Sequence, residues 1–288
     1  MPTDKLKHMI KLQGKNGELM RAASLSSGYL LVCSMLLSHG VLADLPAPNS
    51  AGVSTGHTHL VVPDIAKHRA IWLALGATEA SSGRLQLLSF PGMYILLREG
   101  EPMLPSGDTT ANHIAFSIRD YATYKAKLEA IGVSSYILDN AETGQILADL
   151  PDGVRIEFVT DPTQQAPIIF HHTHLATTDQ IALRDWYLSV FGAEVGERNG
   201  MPSALVPGGR VDFLAAQGEV PQPTQGGAID HIGFEVADMD AFAAHMRDLG
   251  IVFNRGPERI DDIKLTIAFI TDPAGTYIEI TQGLDDAE

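Results

Sequence analysis

Imidazole and carboxylate recur in this chain in a fixed order. His57, His113 and Glu157 form one set, and His172, His231 and Glu279 form a second, each member about 115 to 122 residues after its counterpart. Two histidines with one carboxylate are the ligand mix of Fe(II), Mn(II), Zn(II) and Ni(II) sites, and three protein ligands leave coordination positions open. Thiolate chemistry is excluded from the body of the chain, because its single cysteine, Cys33, lies near the start.

These residues must be positioned by something repeated, and four stretches supply it. A His is followed seven residues later by an Asp at His57–Asp64, His113–Asp120, His172–Asp179 and His231–Asp238. Twelve or thirteen residues after each Asp stands a Gly: Gly76, Gly132, Gly192 and Gly250. The stretch from His to Asp, as in His113-Ile-Ala-Phe-Ser-Ile, reads as a strand rich in apolar residues. The Asp side chain then caps a helix by accepting from its free N–H groups, and the Gly takes the left-handed position that closes it. Apolar spacing between them is helical, as in Phe242, Met246 and Leu249.

Longer matches group these units in pairs. His57-Thr-His59-Leu recurs as His172-Thr-His174-Leu, Asn112-His113-Ile-Ala-Phe as Asp230-His231-Ile-Gly-Phe, and Gly153-Val-Arg-Ile-Glu as Gly275-Thr-Tyr-Ile-Glu. Two tandem halves are therefore expected, 57–162 and 168–284, joined through Pro162–Pro167. This combination of His seven before Asp, a short helix ending in Gly, and a closing Asp-x-x-Gly-x-x-Ile-Glu strand resembles the vicinal-oxygen-chelate superfamily. That is the glyoxalase, bleomycin-resistance and extradiol-dioxygenase fold, and the likeness runs through nearly all of the chain after the leader. It implies an α+β fold of four βαβββ modules forming two tandem paired-module cups, each around a divalent metal. All six residues of the two sets match the family's ligand positions. With neighbouring modules paired, His57, His113 and Glu157 share one site, and His172, His231 and Glu279 the other. Some relatives pair the first module with the fourth, and ligand identity cannot choose, since all four strand positions are His.

Further residues cluster near these sets. His59 and His174 lie two residues beyond a ligand position, so strand alternation puts them on the same face, as catalytic or supporting groups. His171 is expected to face away, and His68 and His245 to be structural. Glyoxalase-type relatives add a carboxylate from the last strand of the first unit of a pair. Asp212 in Arg210-Val-Asp-Phe is the candidate extra ligand, while Tyr94-Ile-Leu-Leu offers none. Extradiol relatives carry a catalytic His and Tyr between the second ligand and the closing Glu. Here that interval holds only His245 and Tyr277, a departure from their pattern.

A formal net charge of −15 argues against nucleic acid and anionic membrane surfaces as partners. Residues 1–43 read as an export segment: a basic start at Met20-Arg21, an apolar run from Tyr29 to Leu37 too short to span a bilayer, and Val41-Leu42-Ala43 before a cleavage point. Residues 44–56 form a flexible leader. The expectation is a periplasmic or secreted enzyme without stable membrane insertion, whose metal chelates adjacent oxygens of a small substrate as a Lewis acid. The alternative is a metal-free protein that sequesters a small molecule, as bleomycin-resistance proteins do.

Overall fold

The computed structural model describes residues 45–288; the expected export segment, with Met20, Cys33 and Ala43, lies outside them. Four modules follow in order. The first is β1 (Val53–Val62), α1 (Ile65–Leu75), β2 (Thr78–Ser82), β3 (Leu85–Phe90) and β4 (Met93–Glu99). The second is β5 (Ala111–Ile118), α2 (Tyr121–Ala130), β6 (Leu138–Asn140), β7 (Gln145–Asp149) and β8 (Arg155–Thr160). The third is β9 (Ile168–Thr177), α3 (Gln180–Phe191), β10 (Glu194–Arg198), β11 (Met201–Val206) and β12 (Gly209–Ala215). The fourth is β13 (Ile229–Val236), α4 (Met239–Asp248), β14 (Arg255–Ile260), β15 (Leu265–Thr271) and β16 (Tyr277–Gln282). The expected α+β repeat of βαβββ units is therefore present.

Local chemistry explains the repeat. Asp64, Asp120, Asp179 and Asp238 each cap a helix, accepting from the backbone N–H of Lys67, Thr123, Ala182 and Ala241. Such a cap stabilises a helix by about 1 kcal/mol. Gly76 and Gly192 follow α1 and α3 directly with φ of 122° and 59°, while α2 and α4 run one residue further before Gly132 and Gly250 turn the chain. Among the described residues, no helix is long and apolar enough to cross a membrane.

The sheets correct the expected pairing of neighbours within each half. One eight-stranded sheet has the order β14-β15-β16-β13-β1-β4-β3-β2, joining the first module to the fourth. The other, β10-β11-β12-β9-β5-β8-β7-β6, joins the second to the third. Connection length accounts for this. The joint between β8 and β9 is the shortest of the three between modules, and it carries the chain directly across β5 to its other edge. The other two, Gly100–Thr110 and Ala216–Ala228, are long enough to pass from one sheet to the other. They run side by side, with hydrogen bonds from Thr110 N to Gln222 O, Gln222 N to Asp108 O, Met103 N to Gly226 O and Ala228 N to Leu104 O.

The halves survive in the core. Trp72 and Phe90 of the first module pack with Phe116 of the second, which meets Phe158. Tyr187, Phe191 and Phe213 of the third module pack with Phe234 and Phe242 of the fourth. Modules adjacent in sequence thus share apolar packing while contributing strands to different sheets. Trp72, fully buried, packs this core, and Trp186 borders it half-buried. His68 is structural, buried against Asp152 at 2.9 Å, and His245 bonds to the carbonyl of Ser189.

Candidate metal centre

Each sheet brings four ligand-type side chains together, and register explains how. In the first cup, built on β1 and β13, His57 lies opposite Gly233 and His59 opposite His231, while Gly233 lies opposite Glu279 on β16. His57 and Glu279 therefore flank a glycine and meet above it, His57 Nε2 standing 2.9 Å from Glu279 Oε2. A Cβ on Gly233 would fall inside the His57 ring, so this residue creates the space the imidazole occupies. His231 Nε2 is also 2.9 Å from Glu279 Oε2, and 3.2 Å from His59 Nδ1. The donor atoms of His57, His59, His231 and Glu279 all lie within 4.8 Å of one another. Register breaks between His59 and Leu60 leave Asp230 as the extra residue of a bulge. The bulge re-aims its carboxylate, which reaches His231 Nδ1 at 2.6 Å and is held by Arg98 at 3.0 Å and by the N–H of Gly226 at 2.7 Å.

The electrostatics of this cup follow from burial set against charge. Burial pushes His57 down, outweighing its bond to Glu279. Burial also takes His59 down to about 3, helped by the neighbouring His231 and His57. His231 goes the other way: burial opposes protonation, but hydrogen bonds to Asp230 and Glu279 lift it to about 9. Glu279 would be raised by burial, yet the bonds from His231 and His57 hold it well below the usual carboxylate range. A cavity of about 680 Å³ opens over the group, lined by His59, His231 and Glu279 with Arg98, Arg255, Phe269 and Tyr277. Phe269 and Tyr277 stack at 4.9 Å, and both meet the His231 ring edgewise.

The second cup, built on β9 and β5, repeats the plan with different neighbours. His172 and Glu157 flank Ala115 and approach to 3.0 Å, while His174 lies opposite His113. His113 Nε2 is 3.3 Å from Glu157 Oε2, and its Nδ1 meets the side chain of Asn112, which occupies the bulge position held by Asp230 in the first cup. Asp212 lies opposite His174 on β12, where the first cup has Leu96 opposite His59. Fully buried, Asp212 accepts from Ser203 at 2.5 Å and from Arg198 Nε at 2.6 Å. Arg198 also directs a terminal nitrogen at His172 Nε2 (3.0 Å) and His174 Nε2 (2.8 Å). Burial carries His113 down to about 4 and His172 well below the ordinary histidine value. Burial would raise both Glu157 and Asp212. The bonds of His113 and His172 to Glu157, and of His174, Ser203 and Arg198 to Asp212, instead hold both low. The cavity here is about 620 Å³, lined by His113, Glu157, His174, Arg155 and the connections between modules.

Comparison with known proteins agrees with this geometry. Residues 169–280 match the model of the Glyoxalase/Bleomycin resistance protein/Dioxygenase superfamily. By sequence, then, the third and fourth modules are similar to that superfamily. The fold of the described residues is similar to that of solved structures: glyoxalase I from Zea mays superposes with a TM-score of 0.61 at 14% identity, covering 81% of this chain and 94% of that one. A mutant form of the maize enzyme gives 0.60 at 15% identity, covering 81% and 94%. A candidate dioxygenase from Bacillus subtilis subsp. subtilis str. 168 gives 0.58 at 13% identity, covering 83% and 86%. No curated protein matches the chain by sequence.

All six expected ligand residues thus lie in the two cups, but regrouped by the exchanged sheets. His57 joins His231 and Glu279, while His172 joins His113 and Glu157. Asp212 faces the second cup, not the Glu279 site with which its half of the sequence would place it. His59 and His174 both belong to the clusters, as strand alternation indicates. His171 does not face away: a register break beside His172 turns its Nδ1 to within 2.6 Å of the His172 Nδ1. Two contributors escape a reading of the sequence. Gly233 is visible there only as one of several differences, Gly for Ala115, between two related strands. Arg198 stands outside every repeated motif, at the end of β10, where the equivalent strand β2 ends in Ser82.

Proposed function

We propose that this chain is a metal-dependent enzyme of the glyoxalase and dioxygenase superfamily whose metal is held in the first cup by His57, His231 and Glu279. The observation that carries this reading is the convergence of these donors within 4.8 Å of one another, with His231 and Glu279 lining a 680 Å³ cavity and His57 buried behind them. The residues fit a divalent first-row ion: two imidazoles and one carboxylate leave open positions, and among the described residues no lysine or arginine pairs with Glu279. Asp230 behind His231 is the carboxylate that fixes ring orientation and basicity in metal-ligating histidines. When bound, Fe(II), Mn(II), Zn(II) or Ni(II) supplies Lewis acidity toward two adjacent oxygens of a small substrate.

The chain's own residues then do the rest. His59, kept neutral by burial and lining the cavity, is placed to take a proton from a substrate held beside His231. The Phe269–Tyr277 stack forms an apolar wall, and Arg98 and Arg255 bring positive charge to the rim. We further propose that residues 1–43 direct export, with cleavage after Ala43, which would place the enzyme in the periplasm or outside the cell.

Loading the purified chain with each of the four metals in turn and desalting it tests the central claim. Retained metal should fall at least about 100-fold in affinity on Glu279→Ala, since the carboxylate supplies the charge of the site. Retention of none of the metals by the unaltered chain would sink this reading and favour a sequestering protein. Catechols and 2-oxoaldehydes are the substrates to screen on the loaded protein.

A further inference from the structure

The second cup has the same donor types as the first, yet its centre is taken. Arg198 is an obligate hydrogen-bond donor with no acceptor. Its guanidinium lies 3.0 Å from His172 Nε2 and 2.8 Å from His174 Nε2, so it stands in front of the ring nitrogens that a metal would use. His172 Nδ1 finds His171, whereas His174 Nδ1 is buried without a partner. The same guanidinium bonds to buried Asp212 at 2.6 Å and stands 3.7 Å from Glu157 Oε2. Arg210 approaches Asp212 at 3.6 Å from the other side. Two arginines thus stand against two carboxylates, and a divalent ion would bring two more positive charges within a few ångströms of Arg198. Because Arg198 is itself largely buried, with 12% of its side chain exposed, the repulsion is poorly screened.

We infer that Arg198 is a built-in cation that stands in for the metal, so that the second cup binds none and any metal the unaltered chain holds is in the first. The donor set of the second cup does not fit a divalent ion while Arg198 is present, and fits one once it is removed. Without the guanidinium, Glu157, His113, His172 and His174 form a cluster whose donor atoms lie within 4.8 Å of one another, with Asp212 adjacent. This holds independently of what the first cup catalyses.

The test is metal stoichiometry by elemental analysis after loading with Zn(II) or Mn(II) and desalting. The unaltered chain should hold one equivalent, lost in Glu279→Ala and kept in Glu157→Ala. Arg198→Ala should hold two, the second disappearing in Arg198→Ala/Glu157→Ala. Arg198→Gln, which keeps a donor for Asp212 without the charge, serves if the alanine variant does not fold. Two equivalents in the unaltered chain, one of them lost in Glu157→Ala, would overturn the inference. So would a folded Arg198 variant that gains no Glu157-dependent metal. An unaltered chain with none, and an Arg198→Ala chain with one lost on Glu157→Ala, would uphold the inference while refuting the metal site of the first cup.

Discussion

The two cups are one design carried out twice, and four of the differences between them stand beside the ligands. Asp230 is replaced by Asn112, Gly233 by Ala115, Leu96 by Asp212 and Ser82 by Arg198, while the histidines and glutamates that look most functional are the same in both. The chemistry of a site is therefore set as much by what surrounds its ligands as by the ligands. A carboxylate behind His231 prepares the first cup for a cation. In the second, Asp212 instead recruits the chain's own cation from a neighbouring strand.

Exchanging single residues between the cups tests each difference. The largest effect is expected for Asp230→Asn, which gives His231 the neighbour that His113 has. Metal affinity in the first cup should drop about 10- to 100-fold, measured by competition with a chromophoric chelator. An unchanged affinity would mean that Asp230 serves only its bonds to Arg98 and Gly226. A smaller effect is expected for Gly233→Ala, which installs the methyl present at Ala115. The His57 ring must shift to make room, at a cost of about 1–3 kcal/mol in thermal stability and about tenfold in metal affinity. The reverse exchange, Ala115→Gly, should alter neither by a comparable amount. Equal responses from the two variants would show that the glycine does not hold the ligand geometry.

The smallest expected effect on metal binding lies behind the cups. Glu235 on β13 occupies the place of Ser117 on β5. Burial lifts its carboxyl to about 8, although Thr281 and the N–H groups of Gly283 and Leu284 donate to it and pull the other way. A folded-state value above the unfolded one contributes stability that is complete below about 4.5 and is lost as pH rises through 8. Glu235→Gln removes that dependence. Relative to the unaltered chain the variant should gain a few kcal/mol, up to about 4, between pH 5 and 9, read from chemical denaturation at several pH values. A difference that stays flat across this window would mean that the three donors keep Glu235 ionised.

Much of this is legible in the sequence because it is local. Asp64, Asp120, Asp179 and Asp238 announce helix starts wherever they occur, and strand alternation places His59 beside His57 and His174 beside His172 without knowledge of the whole. Partner choice is not local. His57 is as compatible with Glu157 as with Glu279 by residue type, and only connection lengths and strand order decide between them. Asp212 reads rightly as a carboxylate on a cup-lining strand, yet its half of the sequence assigns it to the wrong cup for that reason. Arg198 is invisible for another: a long side chain can cross two strands, and nothing in the spacing of β10 records where its end will lie.

The exchanged sheets also govern how this protein comes into being. β1 leaves the ribosome early, yet its central partner β13 is made near the end, with His59 and His231 separated by 172 positions. At about 5–20 residues per second, synthesis of the intervening chain takes roughly 10–35 seconds. Throughout that interval the second cup can close, because β5 and β9 are near neighbours in the chain. The first module must wait with an apolar strand edge unpaired. The candidate metal centre of the first cup is thus the last part of the molecule to assemble, and only a chain translated almost to its end can form it.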